Sequence, residues 1–87
     1  MYKSIGMPEF YQEAKRHQLP IIDVREIDEY EAGHVPNAKN LPLSTLGETF
    51  DTLEKEQEYY IICQSGGRSA QAAEFLSKQG YDVTNVM

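Results

Sequence analysis

Short apolar runs alternate with helix-like patterns along this chain, and that alternation restricts the possible fold more than any other feature. The runs at 20–24 and 59–62 are only a few residues long and rich in Ile, Val and Tyr, which is typical of strands buried on both faces. The segments between them place apolar residues at helical spacing. Alternating strands and helices predict βαβ units. We therefore expect an α/β fold with three layers, α/β/α, around a mainly parallel sheet of about five strands.

The same pattern places the individual elements approximately. The predicted strands are residues 2–5, 20–24, 38–42, 59–62 and 81–86. Four helices are predicted, at residues 7–14, 27–32, 44–53 and 69–79. The third helix is expected to begin at Ser44, a residue type that caps helices. Its apolar positions, spaced as i, i+4 and i+7, are Leu46, Phe50 and Leu53.

Length, charge and cysteine content argue against several classes of protein. The 87 residues suffice for one small domain spanning 1–87, and no run approaches the ~20 apolar residues of a membrane span. Eight Lys and Arg against 14 Asp and Glu give a net charge of −6, which disfavours nucleic acids and anionic membranes as partners. One cysteine and two histidines cannot form a zinc site of the usual spacing or an intrachain disulfide. Because no apolar signal segment is visible at the N-terminus, we expect a cytoplasmic location.

The single cysteine, Cys63, lies where a reactive group is expected. It directly follows the predicted strand 59–62, and ligands bind outside the carboxyl ends of the strands in open α/β sheets. Before the next helix come Gln64, Ser65, Gly66, Gly67, Arg68 and Ser69. We call residues 63–69 the Cys63 loop.

The composition of the Cys63 loop predicts an anion site around the sulfur. Gly66 and Gly67 let successive backbone N–H groups point into one concavity, and the following helix N-terminus and Arg68 add positive charge. Such surroundings lower the pKa of a thiol and favour the nucleophilic thiolate. The structural alternative is that Cys63 is a small buried hydrophobe at a strand end. The Gly-Gly-Arg-Ser continuation favours a functional loop.

Three motifs, in order along the chain, carry a resemblance to a known family. The first is Asp-Val-Arg-Glu at 23–26. The second is Glu29-Tyr30 with Gly-His-Val-Pro-Asn-Ala at 33–38, followed by Leu41-Pro42. The third is the Cys63 loop. Their order and spacing resemble the rhodanese-like domains, single-domain sulfurtransferases related to thiosulfate sulfurtransferase, from about residue 5 to residue 87.

This resemblance implies a rhodanese-like fold and a persulfide mechanism. Cys63 would accept a sulfane sulfur from a small anionic donor such as thiosulfate, or from a protein persulfide, and pass it to cyanide or a thiol. Residues 64–69 would form the substrate-binding loop around the persulfide. The covalent persulfide on Cys63 is the implied intermediate, and no separate cofactor or metal is implied.

Two other functions are weighed against this one. The first is a rhodanese-like interaction or regulatory module without turnover, which the intact Cys63 disfavours. The second is a Cys-based phosphatase or arsenate reductase. Those related enzymes place five residues between cysteine and arginine, whereas only four separate Cys63 from Arg68.

Supporting roles are predicted for Asp23, Arg25 and His34. Charged residues beside a buried strand end are rarely unpaired, so Asp23 and Arg25 are expected to form a structural ion-pair network rather than to act in catalysis. His34 is expected to hydrogen-bond the loop, because an ionised Cys63 needs no general base. The acidic run at 26–31 is expected to be the solvated face of a short helix.

The end of the sequence departs from the family pattern. The Gly-Gly/Trp segment and last helix that usually follow the final strand do not occur within residues 1–87. Without that helix, apolar sheet surface would be exposed, so either a monomer or a weak dimer is expected.

Overall fold

The central apolar runs form the middle of a parallel sheet, as the alternation predicts. The structure is a computed structural model and describes residues 2–87. Its strands are β1 (Lys3–Ile5), β2 (Ile21–Asp23), β3 (Lys39–Asn40), β4 (Glu58–Ile62) and β5 (Asp82–Val86). They pair in the order β1-β5-β4-β2-β3, and every pairing is parallel. The residues that follow β2 and β4 therefore meet at the carboxyl edge of the sheet.

Helices cover both faces of this sheet, which confirms the predicted α/β/α layers. On one face, α1 (Met7–Arg16) packs Phe10 against Ile62 and Val86. On the other face, α4 (Gly67–Lys78) packs Leu76 against Ile61. Neighbouring residues of β4 thus enter opposite cores, which is why the run 59–62 is continuously apolar. Two shorter helices, α2 (Ile27–Ala32) and α3 (Leu46–Thr49), complete the helical set of the described chain.

The prediction of one continuous helix over residues 44–53 is wrong. The segment consists of a 3-10 turn (Leu43–Thr45), α3 and a second 3-10 turn (Phe50–Thr52). Threonine hydroxyls compete with the helical pattern here: Thr52 Oγ1 donates to the carbonyl of Thr49 at 2.8 Å. Ser44 does not cap α3 and instead donates to a carboxylate oxygen of Glu26 at 2.8 Å. The apolar spacing was nevertheless informative, because Leu46 and Leu53 are buried in the core.

The predicted strand 38–42 is also shorter than expected. Only Lys39–Asn40 is regular strand, at the edge of the sheet beside β2. Pro42 has no N–H and interrupts the ladder, although the amides of Leu41 and Leu43 still bond to carbonyls of the β2 segment. No helix among residues 2–87 is long and apolar enough to cross a membrane.

Candidate active site at the end of strand β4

The Cys63 loop folds its backbone around the cysteine sulfur. Gly66 lies at φ +87°, a left-handed conformation that side chains rarely adopt, and this directs its N–H at Cys63 Sγ over 3.0 Å. The Ser69 amide, in the first turn of α4, donates to the same sulfur at 3.2 Å. α4 begins at Gly67, two residues earlier than predicted, so its N-terminus faces Cys63. The loop therefore solvates a negative charge on Sγ with backbone dipoles.

Ser69 adds a side-chain hydrogen bond to the same sulfur. Its side chain is fully buried and its Oγ lies 3.3 Å from Cys63 Sγ and 3.1 Å from the carbonyl of Gly66. A protonated thiol donates to this oxygen, while the Ser69 hydroxyl donates to Gly66. Because a hydroxyl hydrogen rotates, Ser69 can instead donate to the thiolate once Cys63 ionises.

These contacts set the acidity of Cys63. Burial raises the pKa of the thiol, but the Ser69 hydroxyl and the amides of Ser69, Ser65 and Gly66 more than offset it. The net effect is a pKa below the ordinary value of a cysteine. The side chain is partly exposed, so a thiolate here is accessible to a reactant.

Replacing Gly66 with alanine is expected to disturb this site, whereas the same change at Gly67 is not. Alanine at φ +87° strains the backbone by about 1–2 kcal/mol. A backbone shift that relieved this strain would turn the amide of residue 66 away from the sulfur. Gly67 has helical geometry, and a Cβ there would meet no atom within 4 Å. We expect Gly66→Ala to be less stable in urea unfolding and to react more slowly with iodoacetamide at pH 6. Gly67→Ala should keep the stability and the reaction rate of the unaltered protein. Equal behaviour of the two variants would contradict the assigned role of Gly66.

Removing the Ser69 hydroxyl is expected to raise the pKa of Cys63. The Ser69→Ala variant keeps the amide donor but loses the hydroxyl that favours the thiolate. A hydrogen bond to a charged group is worth about 1.5–3 kcal/mol, so the alkylation rate at pH 6 should fall about tenfold. At pH well above the thiol pKa the two proteins should react alike. An unchanged pH–rate profile would show that Ser69 does not stabilise the thiolate.

The sequence predicts that Arg68 adds positive charge beside the sulfur, but its side chain hydrogen-bonds to a carboxylate and not to Sγ. Its guanidinium forms two hydrogen bonds with Glu29 of α2, from Nη1 to Oε1 at 2.6 Å and from Nη2 to Oε2 at 3.0 Å. This bidentate pair holds the pKa of Glu29 at about 2, with help from the Glu26 amide. Attraction to Cys63 raises the pKa of Arg68 only secondarily, after its bonds to Glu29. A carboxylate matches the planar guanidinium better than a single sulfur does, which explains the preference.

The acidic run at 26–31 is therefore not only a solvated surface. Glu29 Oε1 also accepts the backbone N–H of Glu26 at 3.0 Å, closing a capping box at the start of α2. Glu29 thus ties α2 to the Cys63 loop. Sequence reasoning missed this contact, because the two residues are 39 positions apart, although Glu29 belongs to the second motif.

Asp23 and Arg25 pair at the end of β2, beside the Cys63 loop. Asp23 is fully buried, and its carboxylate accepts from Arg25 Nε at 3.1 Å and from Nη2 at 2.9 Å. Arg25 also donates to the carbonyl of Gly33 at 2.7 Å. Asn40 Nδ2 bonds to the carbonyls of both Asp23 and Arg25. This network joins the ends of β2 and β3 to the residues that follow β2 and α2.

His34 lies over the end of α2. Its Nδ1 is 2.8 Å from the carbonyl of Tyr30, and its ring stacks on the Tyr30 ring with centroids 3.7 Å apart. Its hydrogen bond is thus to its own preceding helix and not to the Cys63 loop. His34 also lines the cavity beside Cys63.

That cavity has a volume of about 300 Å³ and opens beside the sulfur. Its apolar wall comes from α1, β4 and the segment after α2. The apolar lining residues are Met7, Phe10, Val35 and Ile62. Asp23 and Arg25 are its charged members. A reactant that approaches Cys63 from this side meets mainly hydrocarbon.

The comparison with a family model identifies the class of domain. Residues 7–87 match the rhodanese-like domain model. The chain therefore belongs to the rhodanese-like domain family, as the three motifs predict.

Relatives and solved structures agree with this assignment. The chain is 46% identical over 70 residues to YrkF of Bacillus subtilis, and the match covers 79% of this chain but 38% of YrkF. It is 35% identical over 81 residues to the thiosulfate sulfurtransferase GlpE of Coxiella burnetii, covering 93% of this chain and 76% of GlpE. A rhodanese-related protein of Thermoplasma volcanium superposes with a TM-score of 0.88 at 39% identity, covering 98% of this chain and 83% of that one.

Proposed function

We propose that this rhodanese-like domain is a sulfurtransferase that carries sulfur as a persulfide on Cys63. The observation that carries the proposal is the set of donors around Sγ: the amides of Gly66 and Ser69 and the Ser69 hydroxyl. They favour the thiolate that attacks the donor and that leaves again when the sulfur is passed on. Thiolates attack sulfane sulfur directly, so the step requires no general base, and His34 is given no catalytic role.

The reaction has two half-reactions. In the first, the Cys63 thiolate attacks the outer sulfur of the donor; a new S–S bond forms as the donor's S–S bond breaks, and its electron pair leaves with the departing group. Thiosulfate would release sulfite, and an organic persulfide would release a thiolate. In the second, cyanide or a thiolate attacks the outer sulfur of the Cys63 persulfide, and Cys63 leaves as the thiolate.

The start of α4 offers further donors for the outer sulfur. The amides of Gly67 and Arg68 begin the helix and have no helical carbonyl four residues before them. We place the outer sulfur of the persulfide near these amides. Similarity to the thiosulfate sulfurtransferase GlpE supports the sulfurtransferase function as such.

A burst experiment tests the proposal. Without an acceptor, the first half-reaction should release about one leaving group per Cys63 and then stop, because covalent catalysis accumulates its intermediate. Adding cyanide should restart release and form thiocyanate. The donors to use are thiosulfate and n-propyl persulfide, each at saturating concentration. Absence of a burst with both donors would reject the sulfurtransferase function and leave a binding module.

A further inference from the structure

Both arginines near Cys63 are already paired with carboxylates. Arg68 makes its two bonds to Glu29, and Arg25 makes its bonds to Asp23 and to the Gly33 carbonyl. Each pair is bidentate, so each guanidinium is oriented by its carboxylate and not toward the sulfur. The formal charge of the two pairs together is zero.

No further Lys or Arg lies in the Cys63 loop or among the described residues that line the cavity beside it. The Cys63 loop contains Arg68 as its one charged residue. The cavity lining contains Asp23 and Arg25 as its charged members, and the rest of its wall is largely apolar. Glu26, which accepts a hydrogen bond from Ser44, adds negative charge near the Glu29–Arg68 pair. With a net charge of −6 on the whole chain, a dianion entering this site is repelled at long range and gains no free cation at short range.

We infer that the site selects low-charge sulfane donors with an apolar group, such as alkyl persulfides, over dianionic thiosulfate, and that Glu29 sets this selectivity by occupying Arg68. The inference rests on the proposed function. The alkyl group would lie against Met7, Phe10, Val35 and Ile62 in the cavity. The Cys63 thiolate would take the outer sulfur, and the alkyl thiolate would leave with the electron pair of the broken S–S bond.

The Glu29→Gln variant isolates the charge of Glu29 from its structural role. Glutamine keeps Oε1, which can still accept the Glu26 amide and retain the capping box of α2. It removes the negative charge and places an amide donor opposite Nη2, so the ion pair with Arg68 is reduced to at most one neutral hydrogen bond, from Nη1 to Oε1. Glu31→Gln is the matched control, because this exposed residue lies on the same helix and changes the net charge equally.

The test is the ratio of kcat/KM for n-propyl persulfide to kcat/KM for thiosulfate, with cyanide as the acceptor. We expect the unaltered protein to favour the persulfide. In Glu29→Gln the ratio should fall about tenfold, mainly through a lower KM for thiosulfate, since a charge at a binding site acts chiefly on the charged ligand. Glu31→Gln should keep the original ratio. Raising the salt concentration should reduce the difference between the variants.

The possible failures are distinguishable. A protein that favours thiosulfate would overturn the inference while leaving the sulfurtransferase proposal intact. A Glu29→Gln variant that loses activity equally with both donors would show that Glu29 positions the loop without setting selectivity. Equal shifts in Glu29→Gln and Glu31→Gln would assign the effect to net charge. No persulfide on Cys63 with either donor would reject the proposed function itself.

Discussion

Replacing Cys63 with serine is expected to abolish sulfur transfer while leaving the fold intact. Serine is nearly the same size and can accept the hydrogen bonds that Gly66 and Ser69 direct at Sγ. Its hydroxyl is not ionised near neutral pH and cannot form a persulfide. We expect thiocyanate formation to fall by at least about 10⁴-fold, the order of loss seen when a covalent nucleophile is removed. Steady-state assays with both donors provide the measurement.

The folding control for Cys63→Ser is thermal unfolding followed by circular dichroism. A melting temperature close to that of the unaltered protein would show that lost activity reflects lost chemistry. Substantial transfer by a correctly folded Cys63→Ser protein would remove Cys63 from its assigned role.

Asp23→Asn is expected to cause the largest loss of stability among the changes considered. Asparagine can still accept the Arg25 amide through Oδ1, but its NH₂ group faces guanidinium donors and leaves that charge unpaired. Breaking a buried ion pair typically costs 3–5 kcal/mol, and we expect about 3 kcal/mol here because Arg25 is partly exposed. That is a large part of the roughly 5–15 kcal/mol that stabilises a typical domain. The melting temperature should fall by about 15 °C.

Asp28→Asn is the matched control for Asp23→Asn. Asp28 is exposed on α2, so the same chemical change there should shift the melting temperature little. If Asp23 is structural, the folded fraction of Asp23→Asn should still form a Cys63 persulfide at low temperature. A stable Asp23→Asn protein with no activity would instead assign Asp23 to the chemistry.

The sheet and the position of Cys63 follow from local sequence patterns. Continuous apolar runs with no helical period identify β2 and β4, and the carboxyl-edge rule for parallel sheets then locates the Cys63 loop. The orientation of the Gly66 N–H toward the sulfur was predictable as well. Adjacent glycines favour backbone conformations that gather N–H groups into one concavity. These features depend on residues close together in the chain.

The errors arose where distant residues or competing local bonds decide the structure. The hydrogen-bond partner of Arg68 was missed, because no periodicity within a single helix reveals that Glu29, 39 positions away, pairs with it. His34 was expected to reach the loop but bonds to Tyr30, four residues before it. The third predicted helix broke because Thr49 and Thr52 hydroxyls bond to nearby carbonyls, which a count of apolar spacing does not register.

The most direct test of persulfide transport is the intact mass of the protein after incubation with n-propyl persulfide and with thiosulfate, each followed by cyanide. We expect a gain of one sulfur atom, located on Cys63, that cyanide removes as thiocyanate. At limiting donor, the gain should be faster with the alkyl persulfide than with thiosulfate. A protein whose mass stays unchanged with both donors, or whose added sulfur is located elsewhere or resists cyanide, would contradict this expectation.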